Sequence, residues 1–305
     1  MHAAMIGLDW GISAFRAYAL DAGGAVLARH AAPAGIMHVA GDGFEQVLRA
    51  EIGGWLDPAV PVLASGMITS RQGWVETPYV RAPAGAAELV AALAPHRLAD
   101  GVTLHCVPGV DRLGDDGVPD VMRGEETQIL GAAGDGLFVL PGSHSKWARV
   151  EAGRIVWFAT FMTGELFAAL KHHTILGRLM TATDAFDDDA FAAGLGYAQA
   201  DDAASGGLLK RLFSVRTLGL VERLPASGLA DYLSGLLLGS EIAEAGRCLG
   251  GRIGALTVIG GAGLAARYRR ALQLSGVSAQ AAPADVAAAG LHRIAVAAGL
   301  LEARR

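Results

Sequence analysis

Two stretches of the chain share one pattern of apolar and polar positions. Residues 5–9 (MIGLD) form an apolar run fit for a buried strand, residues 10–13 (WGIS) break it, and residues 15–20 resume as a second strand. Residues 21–24 (DAGG) read as a hairpin turn and residues 26–31 as a third strand. The same order returns in a strand at 137–140, a Gly/Ser loop at 141–146, strands at 147–150 and 155–161, and a turn at 152–153. The copies lie about 130 residues apart, near half the chain length, which predicts two like domains closing their loops on one ligand.

Helical periodicity fills most of the rest. Phe44, Val47, Leu48, Ile52 and Leu56 set a helix over 42–56, with Asp42 as its N-cap. A short strand at 60–64 ends in Ser65-Gly66-Met67, and a long polar loop at 68–83 follows it. A loop after a strand end is the usual place for a substrate site in an open α/β sheet. A helix over 86–93 stops before Pro95, a strand covers 101–107, and 111–120 is an acidic turn. Gly124 precedes a helix within 121–133 whose first turn carries Glu125 and Glu126. The helix dipole favours acids there, so these two either pair with the dipole or project a carboxylate into the site. Further helices are predicted at 165–179, 189–200, 206–218 and 229–249, the last three within a helical insertion at about 184–250. A strand at 253–259, the turn Gly260-Gly261-Ala262-Gly263, a helix at 264–274, a strand at 277–281 and a closing helix at 285–301, N-capped by Asp285, complete the chain. The predicted division is an N-terminal lobe, 1–133, and a C-terminal lobe, 134–305.

Composition narrows the function. The chain has 305 residues, 52% hydrophobic and 18% charged, which is globular and long enough for two cores. A net charge of −5 without a basic block gives nucleic-acid binding little support. Cys106 and Cys248 lie in apolar surroundings without a CxxC partner and are expected as buried free thiols. His172 and His173 are adjacent and do not share a helical face, which argues against a two-histidine metal site. The start of the chain enters a strand without the features of a signal peptide, and no apolar run reaches the roughly 18–20 residues of a membrane span. No membrane partner is expected, and the default location is cytoplasmic. The sequence leaves oligomeric state open and is compatible with a homodimer.

The candidate chemistry is phosphate binding. Gly/Ser loops between strands turn backbone N–H groups toward an anion. Gly11 and Ser13 in the first loop, and Gly142, Ser143, His144, Ser145 and Lys146 in the second, are the candidates. Gly260, Gly261 and Gly263 form a nucleotide-type turn ahead of a helix N-terminus. Gly261, Gly263 and Ala266 fit the loose dinucleotide spacing, but too little chain follows for a Rossmann sheet, and the P-loop pattern is absent.

Together these residues resemble the sugar kinase/actin superfamily. Asp9-Trp10-Gly11-Ile12-Ser13-Ala14-Phe15-Arg16 is similar to its first phosphate motif, with Ile12 where Thr or Ser is common. Pro141-Gly142-Ser143-His144-Ser145-Lys146 stands at the second phosphate motif without the usual Asp, and Val258–Gly263 resembles the adenosine motif. Within the superfamily, GLDWGIS, SGMITSRQGW…TPY, MRGEETQ, LPGSHSKW, TFMTGELF and GGAGL resemble the 2-dehydro-3-deoxygalactonokinase family over nearly the whole chain.

The resemblance implies an α/β fold of two ribonuclease-H-like (actin-like ATPase) domains with a central cleft, the sugar acid on the N-terminal side and ATP on the C-terminal side. It implies ATP-dependent phosphorylation of the 6-hydroxyl of 2-dehydro-3-deoxy-D-galactonate in galactonate breakdown. Asp9 would hold Mg²⁺ through water, and Arg16 and Lys146 would offset phosphate charge. Glu125 is the first choice for the base, with Glu126 beside it and Asp9 competing. Arg71, then Arg123, would take the substrate carboxylate, and Gly66, Met67, Thr163 and Glu165 would shape the sugar end. The competing readings are an ATP-driven switch of the same fold, a non-catalytic sugar-responsive regulator, which would need a DNA-binding helix pair, and another kinase of the superfamily.

Overall fold

The computed structural model describes residues 3–200 and 206–301. In chain order the elements are β1 (Met5–Trp10), β2 (Phe15–Leu20), β3 (Val26–Ala32), α1 (Phe44–Ile52), β4 (Val62–Ser65), β5 (Val80–Arg81), α2 (Ala86–Ala91), β6 (Ala94–Arg97), β7 (Thr103–Cys106), β8 (Val110–Leu113), β9 (Pro119–Met122) and α3 (Glu125–Ala132). Then follow β10 (Gly136–Leu140), β11 (Ser145–Glu151), β12 (Arg154–Phe161), α4 (Thr163–His173), α5 (Asp188–Gln199), α6 (Leu208–Leu212), α7 (Ser214–Leu220), α8 (Leu229–Cys248), β13 (Leu256–Val258), α9 (Ala262–Leu274), β14 (Ala279–Ala281) and α10 (Val286–Ala297).

The repeat read from the hairpins is present in the sheets. One sheet has the order β3-β2-β1-β4-β7-β6 and another the order β12-β11-β10-β13-β14. Each places a three-strand meander beside parallel strands: β1 pairs with β4 and β4 with β7, as β10 pairs with β13 and β13 with β14. A small third sheet, β5-β8-β9, carries the acidic turn. This is a mixed α/β architecture.

The chain groups into two compact units. The first comprises Met1–Gly136, Ala148–Phe158 and Ala282–Arg305, and the second Leu137–Trp147 and Ala159–Ala281. The core of the first unit holds Ile6, Leu8, Trp10, Phe15, Leu48, Val62 and Leu104, with Trp10 edge-on to Phe15 at 4.8 Å. The outer end of the β11–β12 hairpin belongs there: Ala84 bridges Ile155, and Arg154 Nη2 donates to Pro83 O at 2.7 Å. α10, expected in the C-terminal lobe, also packs in the first unit. Its Gly290 meets α3 so closely that a Cβ on Gly131 would overlap Val286 O and lie 2.7 Å from Gly290 N. In the second unit α8 is buried on nearly every side among Leu176, Val215 and the α5 residues Ala190 and Ala198. That burial explains its run of apolar residues without a clear stripe.

Several expectations shift. Asp42 does not cap α1: Gly43 holds the N-cap position without a side-chain bond, and residues 53–55 form a separate 3₁₀ turn. Pro95, expected to end a helix, lies in β6, a strand at the edge of its sheet, where a missing N–H leaves no ladder bond unmade. The acidic stretch shortens to the turn of a β8–β9 hairpin. The helix expected at 165–179 ends at His173, and that at 206–218 divides into α6 and α7. Asp285 precedes α10 but makes no cap bond; its Oδ1 accepts from Arg29 Nε at 3.0 Å. Cys106 is buried, and burial pushes its thiol up to about 12, whereas Cys248 is exposed. Its position at the last turn of α8 turns it out of the core. Among the described residues, no helix is long and apolar enough to cross a membrane, and no group of three His, Cys, Asp or Glu could hold a metal ion.

Candidate active site

In the first unit the ends of β1 and β4 and the start of α3 converge. Gly66 follows β4 with φ +94°, and a Cβ there would lie 2.8 Å from Trp10 O. Gly124 precedes α3 with φ +105°, and its Cβ would lie 3.0 Å from Gly66 Cα. Three backbones thus meet where a side chain would not fit, and the left-handed conformation suits glycine. Met67, half-buried, begins the turn after Gly66.

Asp9 lies near the end of β1 and is 6% exposed. Arg16 Nη1 donates to its Oδ2 at 2.9 Å, and Gln128 Nε2 makes a long contact to the same atom at 3.5 Å. Both contacts fall on Oδ2, which leaves Oδ1 open to a water or a metal-bound water. Burial pushes the Asp9 carboxyl up, against the lowering charge and hydrogen bond of Arg16. The loop beyond Asp9 is held from behind: Ile36 N donates to Gly11 O at 3.0 Å and Met37 N to Ile12 O at 3.2 Å. With its carbonyls so engaged, the amides of Ile12, Ser13 and Ala14 donate to no protein acceptor among the described residues. Amides without a protein acceptor in a loop of this kind are free to receive an anion.

The acidic pair divides by environment. Glu126 is 0% exposed; its oxygens accept from Gly124 N at 2.7 Å and Thr127 Oγ1 at 3.0 Å. Burial, and then the neighbouring Glu125 charge, push its carboxyl up to about 7. It closes the first turn of α3 rather than facing solvent. Glu125 is half-buried and accepts from Arg123 N at 2.9 Å.

The arginines also separate. Arg123 is buried, donating to Thr69 O at 2.6 Å, Thr77 Oγ1 at 2.5 Å and Thr77 O at 2.9 Å, with its guanidinium 4.4 Å from the Tyr79 ring centroid. Through Nη1 and Nη2 it ties together the loop after β4, while its buried Nε has no hydrogen-bond partner among the described residues. Arg71, on that same loop, is exposed and makes no hydrogen bond or ion pair among the described residues. A guanidinium held at the rim of a pinned loop is suited to a carboxylate.

In the second unit, parallel pairing of β10 and β13 places the second Gly/Ser loop beside the glycine turn. Ile259 N donates to Val139 O at 2.9 Å, and Gly260 faces Pro141. Gly260, Gly261 and Gly263 are exposed, with Gly261 at the N-cap of α9 and Gly263 in its first turn. The amides of Gly142, Ser143 and His144 donate to no protein acceptor among the described residues. α4 starts against this loop: Glu165 N donates to Ser143 O at 2.9 Å, and a Cβ on Gly164 would overlap Gly142 O and lie 2.9 Å from Ser143 Cα. His144 Nε2 pairs with Glu165 Oε2.

Ser145 and Lys146 do not belong to the loop. Both lie in β11 and are buried; Ser145 Oγ donates to Glu241 Oε1 at 2.8 Å and Lys146 Nζ to Thr160 Oγ1 at 2.6 Å. The strand begins two residues before the expected point, and its first four residues are all buried, so Ser145 and Lys146 point to opposite faces that are both covered. Thr163 is likewise bonded to Glu241. Glu241, Gln128, Thr69 and Thr77 were not singled out in the sequence. Only Glu241 left a trace, as a lone acid in the apolar run LSGLLLGSEIA.

A cavity of about 570 Å³ opens within this unit, lined by Gly142, Ser143, Phe167, Leu237, Leu264 and Arg267 among others. Apolar residues such as Phe167, Leu237 and Leu264 and polar ones such as Ser143 and Arg267 both line it, the usual make-up of a small-molecule site.

The sequence pattern of the 2-keto-3-deoxy-galactonokinase family matches residues 9–294. The chain is 34% identical to the 2-dehydro-3-deoxygalactonokinase of Escherichia coli (strain K12), over 97% of this chain and 98% of the relative. It is 38% identical to a candidate enzyme of the same name from Rhizobium meliloti (strain 1021), over 94% and 95%. The crystal structure of a candidate 2-dehydro-3-deoxygalactonokinase from Sinorhizobium meliloti superposes with a TM-score of 0.86 at 35% identity, covering 95% of this chain and 98% of that one. An activator of 2-hydroxyisocaproyl-CoA dehydratase from Clostridium difficile, with bound ADPNP, shares the fold alone, with a TM-score of 0.51 at 13% identity over 96% and 95%. The chain belongs to the 2-keto-3-deoxy-galactonokinase family.

Proposed function

We propose that this protein transfers the γ-phosphoryl group of ATP to the 6-hydroxyl of 2-dehydro-3-deoxy-D-galactonate, in the cytoplasm. What carries it is the presence, in a chain of this family, of two Gly/Ser loops, Ile12–Ala14 and Gly142–His144, whose amides donate to no protein acceptor among the described residues. Each loop is anchored from behind, and the second opens onto the 570 Å³ cavity. Adenosine lies against Phe167, Leu237 and Leu264, beside the turn of Gly260, Gly261 and Gly263. Within the second unit Gly142–His144 receives phosphate oxygens, and within the first Gly11–Ser13 is a second phosphate loop, with Arg16 adding charge beside it.

Phosphoryl transfer asks for positioning and charge neutralisation more than for covalent help. The hydroxyl oxygen attacks the γ-phosphorus, the bond from that phosphorus to its bridging oxygen breaks, and ADP departs. The hydroxyl proton passes to Glu125, the more accessible member of the acidic pair. Asp9, with Oδ1 open, fits Mg²⁺ held through water, and the ion when bound neutralises phosphate charge. Arg71, exposed, receives the substrate carboxylate, since both terminal nitrogens of buried Arg123 are bonded to Thr69 and Thr77.

An ADP-release assay over a panel of aldonates and 2-keto-3-deoxy acids tests the reading. The named acid should give the highest kcat/KM; a different acid, or nucleotide hydrolysis without any acid, would refute it. Asp9→Asn should abolish turnover with the fold intact. Arg71→Ala should raise KM for the acid while leaving KM for ATP unchanged. An unmoved acid KM removes Arg71 from substrate recognition.

A further inference from the structure

α8 carries one acid in the middle of its buried length. Glu241 is 3% exposed, and an isolated carboxylate in such a place is costly. Here it is saturated. Oε1 accepts from Ser145 Oγ at 2.8 Å and Trp147 Nε1 at 2.7 Å, and Oε2 from Tyr268 OH at 2.8 Å. The Thr163 hydroxyl adds a fourth bond.

The origin of these donors is what matters. Ser145 and Trp147 begin β11, directly after the Gly142–His144 loop. Thr163 is the first residue of α4, whose next residue, Gly164, abuts Gly142. Tyr268 lies on α9, the helix that opens at the glycine turn. Thr163 and Tyr268 also line the cavity. One carboxylate therefore joins three chain segments that frame the nucleotide's place, all within the second unit. A core needing only stability would fill this point with a hydrocarbon at lower cost. Burial pushes the Glu241 carboxyl up on balance, with the bonds from Thr163, Trp147, Ser145 and Tyr268 pulling against it.

We infer that Glu241 is a positioning residue for the nucleotide: it sets the second phosphate loop, the α4 N-terminus and α9 in one fixed geometry without touching ATP. The inference rests on the nucleotide site assigned above. Glu241→Gln keeps size and shape but replaces one acceptor oxygen with a donor, so one of the four bonds must invert or break.

Calorimetric Mg·ATP binding and both KM values, measured for wild type and Glu241→Gln, test it. Glu241→Gln should raise KM and Kd for ATP about tenfold while KM for the acid stays within about twofold, because only the nucleotide's frame is loosened. Equal changes in both KM values, or none in that for ATP, would overturn it. Should Glu241→Gln fail to fold, Ser145→Ala, which deletes one donor behind the loop, is read in the same way. Wild-type protein that binds no nucleotide would overturn the site and the inference together. Wild-type binding matched by Glu241→Gln would overturn the inference alone.

Discussion

Replacing Glu126 with Gln isolates the electrostatic cost of one carboxyl. Its folded value is about 7, against an ordinary 4.5, because burial and the Glu125 charge disfavour the ion. At 1.36 kcal/mol per pH unit, holding it ionised above pH 7 costs the fold about 3 kcal/mol. The sign follows from linkage. Between about pH 4.5 and 7 the native state keeps a proton that the unfolded chain has released, so this group's contribution to stability falls as pH rises through that window and is constant above it. Gln carries no titration but loses an acceptor for Gly124 N or Thr127, a pH-independent cost of roughly 1–2 kcal/mol. Relative to wild type, Glu126→Gln should thus be less stable at pH 4.5 and gain about 3 kcal/mol by pH 8, enough to reverse the order. In thermal midpoints of the ligand-free protein the relative gain is about 6 °C, at roughly 2 °C per kcal/mol for a chain of this size. Glu125→Gln, which removes the second cause, should move the midpoint of the effect to lower pH. A stability difference that stays constant from pH 4.5 to 8 would refute the reasoning, since Glu126 would then be ionised at no cost.

Steric and polar packing support two more tests. Gly164→Ala should lower stability by about 2 kcal/mol and raise KM for ATP, because the methyl must displace Gly142 and Ser143; unchanged melting and ATP kinetics would show the loop free to yield. Arg123→Met should cost about 3 kcal/mol in chemical denaturation by stranding the Thr69 and Thr77 carbonyls, and should impair acid binding by loosening the loop that bears Arg71; a stable variant with unchanged acid KM would contradict it.

Strand and helix order was legible in the sequence because it is local. Alternation in residues 5–20 and 137–161, glycines between strands and helical spacing over 42–56 each depend on near neighbours. The repeated meander, the two Gly/Ser loops and Asp9 at the strand end followed from it. What sequence reasoning missed depends on partners far along the chain. Pro95 looked like a helix stop until pairing with β7 made its segment an edge strand. Lys146 reads from the sequence as part of the loop, but β11 starts at Ser145 and Lys146 Nζ donates to Thr160. Arg123 and Arg71 are alike as residue types, and only the threonines that fold around one separate them.

By itself, then, the sequence determined the alternating elements, the duplicated Gly/Ser loops and the family, since periodicity and motif order are written along one dimension. Tertiary structure decided that α10 returns to the first unit, that Glu126 rather than Glu125 is sealed from water, and that Glu241 gathers donors from three segments. Burial depends on which distant segments pack over a residue, and Glu241 gains its partners only when Ser145 and Tyr268, far from it along the chain, are brought within hydrogen-bond reach; no local pattern encodes that.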